Sequence, residues 1–254
     1  MTKPSFKDDI VWIIGASSGI GRALAYELAA QGAVLALSAR NQSELEALQS
    51  ELGPQHKIFC LDITDADLTQ RTAQAIRSAF GRLDRVIFMA ALYTPMPTHQ
   101  LHLPSVKALI ETNLTGAFYV TQAVLPILLD QTAPCQFALC ASVAGYTGLP
   151  GGQPYSATKA GLINLAETLA AEYGERIDIK LINPGFVRTP LTDKNNFHMP
   201  MMIEPEEAAQ EIAKGLLSNR FEIHFPKLFT AFLKFIRILP YSLAFWLTRK
   251  IRPE

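Results

Sequence analysis

The chain has 254 residues, of which 49% are apolar, and its 23 basic and 23 acidic residues give a net charge of zero. This length suits one large α/β domain, the composition excludes a disordered chain, and the charge balance argues against a nucleic-acid-binding protein. The cysteines, Cys60, Cys135 and Cys140, form neither a disulfide framework nor a C-x-x-C metal site, which favours a reducing compartment. Because the amino-terminal segment MTKPSFKDDI lacks the apolar core of a signal peptide, we expect a cytoplasmic protein.

Short apolar runs rich in branched residues alternate with longer helical patterns, which is typical of βαβ units. Strands are predicted over Ile10–Ile14, Ala33–Ser38, Lys57–Leu61, Arg85–Met89, Gln136–Cys140, Asp178–Ile182 and Phe221–Phe225. Helices are predicted over Gly19–Gln31, Gln42–Glu51, Asp65–Phe80, Pro104–Asp130, Tyr155–Glu172 and Pro205–Ser218. Continuous apolar strands fit a parallel sheet covered by helices on both faces. The prediction is one doubly wound α/β domain of about seven strands over residues 1–225, with residues 226–254 as its helical extension.

A glycine-rich segment follows the first predicted strand and opens the first helix. It reads Gly15-Ala16-Ser17-Ser18-Gly19-Ile20-Gly21. Glycines at such a turn let the backbone approach a pyrophosphate, whose charge is favoured at a helix amino terminus. The spacing G-x-x-x-G-x-G differs from the general G-x-G-x-x-G pattern, and a plain tight turn is the alternative. Its place on the first βαβ unit favours a nucleotide-binding loop.

The end of the second predicted strand indicates which nucleotide binds. An acidic residue there would bind the ribose hydroxyls of NAD, whereas an arginine accommodates the 2′-phosphate of NADP. The sequence has Arg40 at this place and no carboxylate before Glu44. A solvated surface arginine is the alternative, but together with the loop this residue favours NADP over NAD, because a guanidinium pairs with phosphate oxygens.

A tyrosine and a lysine lie four residues apart on the predicted helix that follows the fifth strand. Tyr155 and Lys159 therefore project from the same helix face. A nearby ammonium favours the phenolate and lowers the pKa of a tyrosine from its usual value of about 10. Ser142, at the end of the fifth strand, can hold a substrate oxygen. A lone Y-x-x-x-K arises often by chance, so the ordered set of motifs decides the interpretation.

That ordered set resembles the classical short-chain dehydrogenase/reductase family over about Asp9–Phe225. The matching segments are Gly15–Gly21, Leu61-Asp62-Ile63, Asn113-Leu114-Thr115-Gly116, Ser142, Tyr155 with Lys159, and Asn183-Pro184-Gly185-Phe186-Val187-Arg188-Thr189. The resemblance implies a Rossmann-type fold and makes Tyr155 the general acid/base, which Lys159 tunes while it binds the nicotinamide ribose. It further implies that Ser142 polarises the carbonyl and that Asn113 holds a water in a proton relay. Contacts to the cofactor are implied for Asp62, Ile63, Pro184, Gly185, Val187 and Thr189.

One segment departs from the family pattern. The family usually has Asn-Asn-Ala-Gly after the fourth strand, whereas this chain has Phe88-Met89-Ala90-Ala91. The change removes hydrogen bonds that apolar packing can replace. Ala90 and Ala91 are kept as cofactor-contacting residues.

Residues 190–202 have no regular period, and the resemblance implies a mobile flap over the substrate. Its apolar inner face would be supplied by Phe197, Met199, Met201 and Met202, with an ordinary surface loop as the alternative. His198 lies in the same segment and is more often only solvated in such a position.

The last residues differ from the rest of the chain. Between Ile223 and Pro253 there is no acidic residue, and the basic residues are Lys227, Lys234, Arg237, Arg249, Lys250 and Arg252. A polar helical stripe of Lys227, Thr230, Lys234 and Arg237 adjoins a wide apolar face, and Pro240 separates it from a second piece containing Phe245, Trp246, Leu247 and Ile251. No uninterrupted apolar run in this carboxyl-terminal segment is long enough to span a membrane. The pattern indicates either contact with a membrane surface or a protein-only role, as a subunit contact or a cover on the pocket.

The predicted function is an NADP(H)-dependent oxidoreductase that transfers a hydride between nicotinamide and the carbonyl or secondary alcohol of an apolar substrate. The resemblance implies a homodimer or homotetramer. One alternative is a nonenzymatic NADP(H)-binding scaffold, supported only by the altered Phe88–Ala91 segment. The other is an epimerase or dehydratase, against which the chain length and the glycine spacing argue. No metal is predicted.

Overall fold

The computed structural model describes residues 5–197 and 199–250. Its seven strands form one parallel sheet in the order β3-β2-β1-β4-β5-β6-β7. The strands are β1 Ile10–Ile14, β2 Val34–Ala39, β3 Lys57–Cys60, β4 Arg85–Phe88, β5 Cys135–Cys140, β6 Ile177–Pro184 and β7 Glu222–Phe225. All the predicted strands therefore form, and their ends shift by no more than two residues, as at β6. The strand order reverses between β1 and β4, and a crevice opens at the carboxyl edge of such a sheet.

Nine helices flank or follow the sheet within the described residues. They are α1 Gly19–Ala30, α2 Gln42–Leu52, α3 Ala66–Phe80, α4 Leu103–Ile110, α5 Gly116–Asp130, α6 Tyr155–Tyr173, α7 Pro205–Leu216, α8 Lys227–Ile238 and α9 Tyr241–Lys250. The long helix predicted over Pro104–Asp130 is divided: a π-helical turn, Glu111–Thr115, joins α4 to α5. Short 3₁₀ turns lie at Thr98–Gln100, Val143–Gly145 and Thr192–Lys194.

The strands are apolar on both faces because helices cover both. Along β1, Trp12 and Ile14 belong to one apolar cluster, whereas Val11 and Ile13 belong to the other. This is the alternation that a pleated strand imposes. The first cluster includes residues of α3, α5, α6 and α8, and the second includes residues of α1, α2 and α7. The two layers of helices complete a doubly wound Rossmann-type domain.

The run Leu103–Asp130 has the length and composition of a membrane-crossing helix, yet half of its most apolar 18-residue stretch is buried within the domain. Here α5 packs against α3, and the π-helical turn packs against α6. The apolar side chains of this run therefore belong to the packing of the domain.

The predicted extension forms α8 and α9, which Leu239 and Pro240 separate. The side of α8 that packs against the domain contributes Leu233 and Ile236 to the first cluster. The predicted tail residues Ile251, Arg252 and Pro253 lie outside the described residues.

Candidate active site

A cleft of about 340 Å³ opens at the carboxyl edge of the sheet. Nearly all the residues predicted for cofactor binding and catalysis line it. They are Gly15, Ser17, Ser18, Gly19, Ile20, Gly21, Arg40, Asp62, Ile63, Ala90, Ala91, Ser142, Tyr155, Lys159, Pro184, Gly185, Val187 and Thr189. Most of these residues are far apart in sequence and meet because they lie at or beyond the carboxyl ends of neighbouring parallel strands, or in α6, which begins at this edge.

The glycine loop forms a cradle that side chains would fill. Gly15 has φ +97°, which an L side chain rarely adopts, and an added Cβ would lie 2.7 Å from the amide nitrogen of Ala90. A Cβ on Gly21 would lie 2.1 Å from the carbonyl oxygen of Gly15. The backbone of the glycine loop is therefore tightly turned and carries no side chain at Gly15 or Gly21, and it leads into the amino terminus of α1 at the cleft. These features fit a dinucleotide pyrophosphate.

Apolar packing replaces the asparagines that the family usually has after β4. Phe88 is fully buried in the first cluster, and Met89 packs against the second. The amide of Met89 donates to the carbonyl oxygen of Ile14 at 2.8 Å, which ties this segment to β1. Ala90 and Ala91 consequently stay in the wall of the cleft.

Two polar residues line the cleft beyond the ends of β2 and β3. Arg40 follows β2 directly and is exposed, whereas nearby Arg22 is held by Glu44 at 3.0 Å and Glu51 at 3.1 Å. Glu44 therefore already has a cationic partner. Asp62 follows β3, and its Oδ1 accepts hydrogen bonds from the amide and hydroxyl of Thr64.

The predicted catalytic residues converge on one wall of the cleft. Tyr155 is the first residue of α6, and Lys159 lies one turn later with its Nζ 5.5 Å from the centre of the Tyr155 ring. Ser142 follows β5, and its Oγ accepts from the amide of Ala144 at 3.1 Å. A phenol, an ammonium and a hydroxyl thus share the cleft with the glycine loop.

Burial raises the pKa of the Tyr155 phenol, and hydrogen bonding with Ser142 only partly opposes this effect. The sequence led us to expect that Lys159, together with the positive nicotinamide, lowers this pKa, whereas in the protein alone burial keeps it raised. Lys159 Nζ donates instead to the carbonyl oxygen of Cys140 at 2.8 Å. Burial also lowers the pKa of Lys159. Tyr155 is therefore a protonated phenol near neutral pH.

Asn113 differs from the other predicted site residues because it does not line the cleft. It is fully buried in the π-helical turn, where its Nδ2 donates to Leu92 O and to Thr158 Oγ1. Its Oδ1 accepts from the amide of Leu92 at 2.6 Å. The side chain therefore fixes the segment after β4, and a relay water would have to bind the main chain.

Sequence reasoning missed Tyr93, which is half-buried beside the catalytic tyrosine. Its ring meets Tyr155 edge-on with 5.1 Å between centroids, and its hydroxyl donates to Asn195 Oδ1 at 2.7 Å. Lys194 Nζ also donates to Tyr93 O. In the sequence, only the position of Tyr93 shortly after β4 indicated that it could lie near the cleft. Its contact with the predicted flap depends on the folded structure and could not be inferred from that position.

Further residues line the cleft that were not named from the sequence as cofactor-binding or catalytic. These are Ile14, Ala39, Asn41, Leu61, Met89, Leu92, Thr112, Cys140, Ala141, Pro190, Leu191 and Thr192. In the predicted flap, the Phe197 ring packs against Phe186 at 5.9 Å, and Met201 is exposed. His198 lies outside the described residues.

Comparisons with known proteins agree with this geometry. The short chain dehydrogenase family matches residues 9–199. An uncharacterized oxidoreductase of Myxococcus xanthus is 33% identical over 99% of this chain and 100% of its own length. The 3-oxoacyl-[acyl-carrier-protein] reductase FabG of Escherichia coli is 32% identical over 74% of this chain and 77% of its own.

A solved structure has the same fold. It is a short chain dehydrogenase/reductase from Burkholderia phymatum in complex with NAD, with a TM-score of 0.84, 21% identity, and coverage of 91% of this chain and 93% of its own. The chain therefore belongs to the short-chain dehydrogenase/reductase family of oxidoreductases, whose fold binds a nicotinamide cofactor.

Proposed function

We propose that this protein is an NADP(H)-dependent reductase that converts the carbonyl group of an apolar ketone or aldehyde to an alcohol. The observation that carries the proposal is the meeting of Ser142, Tyr155 and Lys159 in the same cleft as the Gly15–Gly21 loop. The protonated state of Tyr155 in the protein alone suits an acid that acts in the direction of reduction.

The preference for NADP rests on Arg40. Its guanidinium is exposed at the end of β2, where the 2′-phosphate of NADP would lie, and Glu44 is engaged by Arg22. NAD is the second candidate, and it is the cofactor named for the Burkholderia phymatum structure. The bound cofactor supplies the hydride for the carbonyl carbon.

The residues of the cleft divide the remaining binding work. The glycine loop would hold the pyrophosphate, Asp62 and Ile63 the adenine, and Lys159 the nicotinamide ribose. The nicotinamide side would be lined by Ala90, Ala91, Pro184, Gly185, Val187 and Thr189.

The chemistry of the chain's own residues is a proton transfer. Ser142 Oγ donates a hydrogen bond to the substrate carbonyl oxygen, which orients and polarises it. Tyr155 then donates its phenolic proton to that oxygen as the carbonyl carbon is reduced. The Lys159 ammonium stabilises the resulting phenolate. Asn113 holds the Leu92–Tyr93 wall, and its main chain is the proposed site of the relay water.

An apolar substrate is supported by the side chains around the catalytic tyrosine. Tyr93 packs edge-on against Tyr155, and the flap residue Phe197 packs against Phe186. The similarity to a 3-oxoacyl reductase makes acyl chains a reasonable part of a substrate panel.

The family acts on small molecules and typically forms oligomers. A homodimer or homotetramer is our proposal for this chain, and α4 and α5 expose Leu103, Ile110 and Phe118 as candidate subunit contacts. We also propose a cytoplasmic location.

The function is tested by NADPH oxidation with a panel of ketones, aldehydes and 3-oxoacyl compounds, repeated with NADH. We expect turnover with NADPH that falls about 10²–10⁴-fold in Tyr155→Phe while NADPH affinity is unchanged. Tyr173→Phe, at the far end of α6, is the matched control. Normal turnover in Tyr155→Phe would refute the assignment, and NADPH binding without any turnover would favour the nonenzymatic scaffold.

A further inference from the structure

Helix α8 turns its polar side toward the domain. Lys227 Nζ donates to the carbonyl oxygen of His224 at 2.7 Å, and Thr230 Oγ1 lies 2.6 Å from His224 Nδ1. One turn further, Lys234 pairs with Glu222. Thr230 is fully buried. The polar stripe predicted from the sequence is therefore used mainly for anchoring α8 to β7, not for facing water.

The opposite side of α8 is apolar and uncovered. Its exposed residues recur at helical spacing, and they are Leu228, Phe232, Phe235 and Ile238, with exposed fractions of 76%, 45%, 52% and 78%. A helix that only covered a soluble domain would place such side chains inside. Adjacent large apolar side chains at a surface mark an interaction site.

Helix α9 continues this uncovered surface. It buries the small residues Ala244 and Thr248 and exposes large ones, namely Tyr241, Leu243, Phe245 and Trp246. Lys250 Nζ lies 3.9 Å from the centre of the Trp246 ring. Tryptophan and tyrosine with adjacent lysine suit the boundary between water and lipid, because their rings are apolar and their polar groups stay hydrated. We call these exposed side chains of α8 and α9 the docking surface.

The charged residues of α8 and α9 have one sign. No aspartate or glutamate occurs between Ile223 and Lys250. Lys227 and Lys234 are engaged with the domain, where Glu211 also acts on Lys227, and the remaining exposed cations of the two helices are Arg237, Arg249 and Lys250. The two helices therefore combine apolar side chains with a positive rim.

This combination discriminates between two occupants. A second copy of the chain related by two-fold symmetry would bring the same surface against itself, so the positive rims would face each other, and neither helix has an acidic residue to pair with them. An anionic lipid surface complements both features, because apolar side chains enter the acyl boundary while the cations meet the headgroups. We infer that α8 and α9 bind the protein to the surface of an anionic membrane.

Helix α8 lies next to the segment predicted to form the substrate flap. Phe229 of α8 contacts Phe186 with 5.5 Å between ring centroids, and Phe186 contacts Phe197 of the flap. Gly185, which lines the cleft, has Phe229 and Pro226 as its neighbours. Membrane binding at α8 would therefore hold the flap close to the bilayer.

The test is flotation of the full chain with vesicles of phosphatidylcholine alone or with about 30% phosphatidylglycerol. We expect flotation with the anionic vesicles that weakens as the salt concentration rises, and little with the neutral ones. The double variant Leu228→Ser/Phe235→Ser should lose at least about tenfold in vesicle affinity.

The control is Leu101→Ser, which removes an exposed leucine outside the docking surface and outside the proposed subunit contacts. It should float like the wild type, and unchanged NADPH binding in both variants would show that they fold. Failure of the folded wild-type chain to float with anionic vesicles would overturn the inference. So would self-association of the wild type that Leu228→Ser/Phe235→Ser abolishes without any change in flotation.

Discussion

The cleft and the carboxyl-terminal helix pair use polar side chains in opposite ways. In the cleft, Ser142, Tyr155 and Lys159 converge on an open space lined by backbone and small residues. In α8, Lys227, Thr230 and Lys234 are turned toward β7, and large apolar side chains face outward. An amphipathic sequence pattern therefore shows that a helix has a polar and an apolar face, but the polar partners that the domain offers decide which of the two faces points inward.

We therefore expect the activity of the cleft and the vesicle binding of the docking surface to be lost independently of each other. Substitutions in the cleft should change cofactor binding or turnover and leave vesicle binding intact, and substitutions on the docking surface should do the reverse. A single substitution that changes both turnover and vesicle binding would show that the two regions are not independent.

The largest effect is expected for Lys159→Met. Removal of the ammonium leaves the Tyr155 phenolate without its cation, so turnover should fall about 10²–10⁴-fold. Alcohol oxidation requires the phenolate, and its rate rises with pH through the pKa of Tyr155. With the oxidised cofactor bound, the Lys159 ammonium should favour the phenolate, so its loss should move this rise to higher pH in the variant. Lys159→Arg, which keeps the charge, should restore part of the rate, and an unshifted pH profile in Lys159→Met would contradict the role.

Gly21→Ala should weaken both cofactors equally. The added Cβ would lie 2.1 Å from the carbonyl oxygen of Gly15, so the loop must open. Strain of about 3 kcal/mol corresponds to about a 100-fold loss of affinity for NADPH and for NADH, measured by fluorescence titration. Gly148→Ala is the control, since its Cβ would meet no atom within 4 Å. Unchanged affinity in Gly21→Ala would remove the loop from the cofactor site.

Arg40→Ala should discriminate between the cofactors. Loss of a charge-assisted contact of about 1.5–3 kcal/mol would weaken NADPH about 10–100-fold. NADH lacks the 2′-phosphate, so its affinity should hardly change. Arg71→Ala replaces an exposed arginine that does not line the cleft and should affect neither cofactor. An equal loss for both cofactors in Arg40→Ala would show that this residue does not recognise the phosphate.

The smallest effect concerns the anchor of α8. Burial alone would raise the pKa of Glu222, but hydrogen bonds from Lys234, Tyr146 and Asn183 outweigh it and hold the pKa below its usual value of 4.5. Glu222→Gln should therefore lower the free energy of unfolding by about 1–3 kcal/mol at neutral pH, measured by urea denaturation. Above pH 4.5 the carboxylate contribution is complete, and it is lost as pH falls through the lower pKa of the folded state.

The difference between wild type and Glu222→Gln should accordingly shrink as the pH falls below 4.5. Glu204→Gln is the control, because its pair with Arg188 is exposed on both sides and contributes little. Equal losses of stability in Glu222→Gln and Glu204→Gln would contradict the conclusion that Glu222 anchors α8.

The cleft could be predicted well because its residues follow strand ends. Buried apolar runs located the strands, and Gly15, Arg40 and Ser142 each stand just beyond one of them. Tyr93 and the Leu92 contacts of Asn113 could not be predicted, since they depend on segments that meet only in the folded chain. Spacing placed Lys159 on the same helix face as Tyr155 but could not reveal the burial that raises the pKa of Tyr155 in the protein alone, or the hydrogen bond of Lys159 to Cys140 O.

The carboxyl-terminal pair was predicted only in part. Spacing predicted a basic amphipathic helical segment interrupted at Pro240, and the structure has α8 and α9 on the two sides of this residue. The direction of the polar stripe depends on Glu222 and the carbonyl oxygen of His224, which belong to a different element. Periodicity within one helix contains no information about those partners.

The most direct test of the proposed function is to follow deuterium from NADPH labelled at C4 of the nicotinamide into the product alcohol by mass spectrometry. With the best carbonyl compound of the panel, one of the two C4-labelled stereoisomers should place deuterium on the former carbonyl carbon. Tyr155→Phe should bind NADPH and give almost no labelled product. NADPH consumption without deuterium in the alcohol, or labelled product from Tyr155→Phe at the wild-type rate, would contradict the proposed role of this cleft.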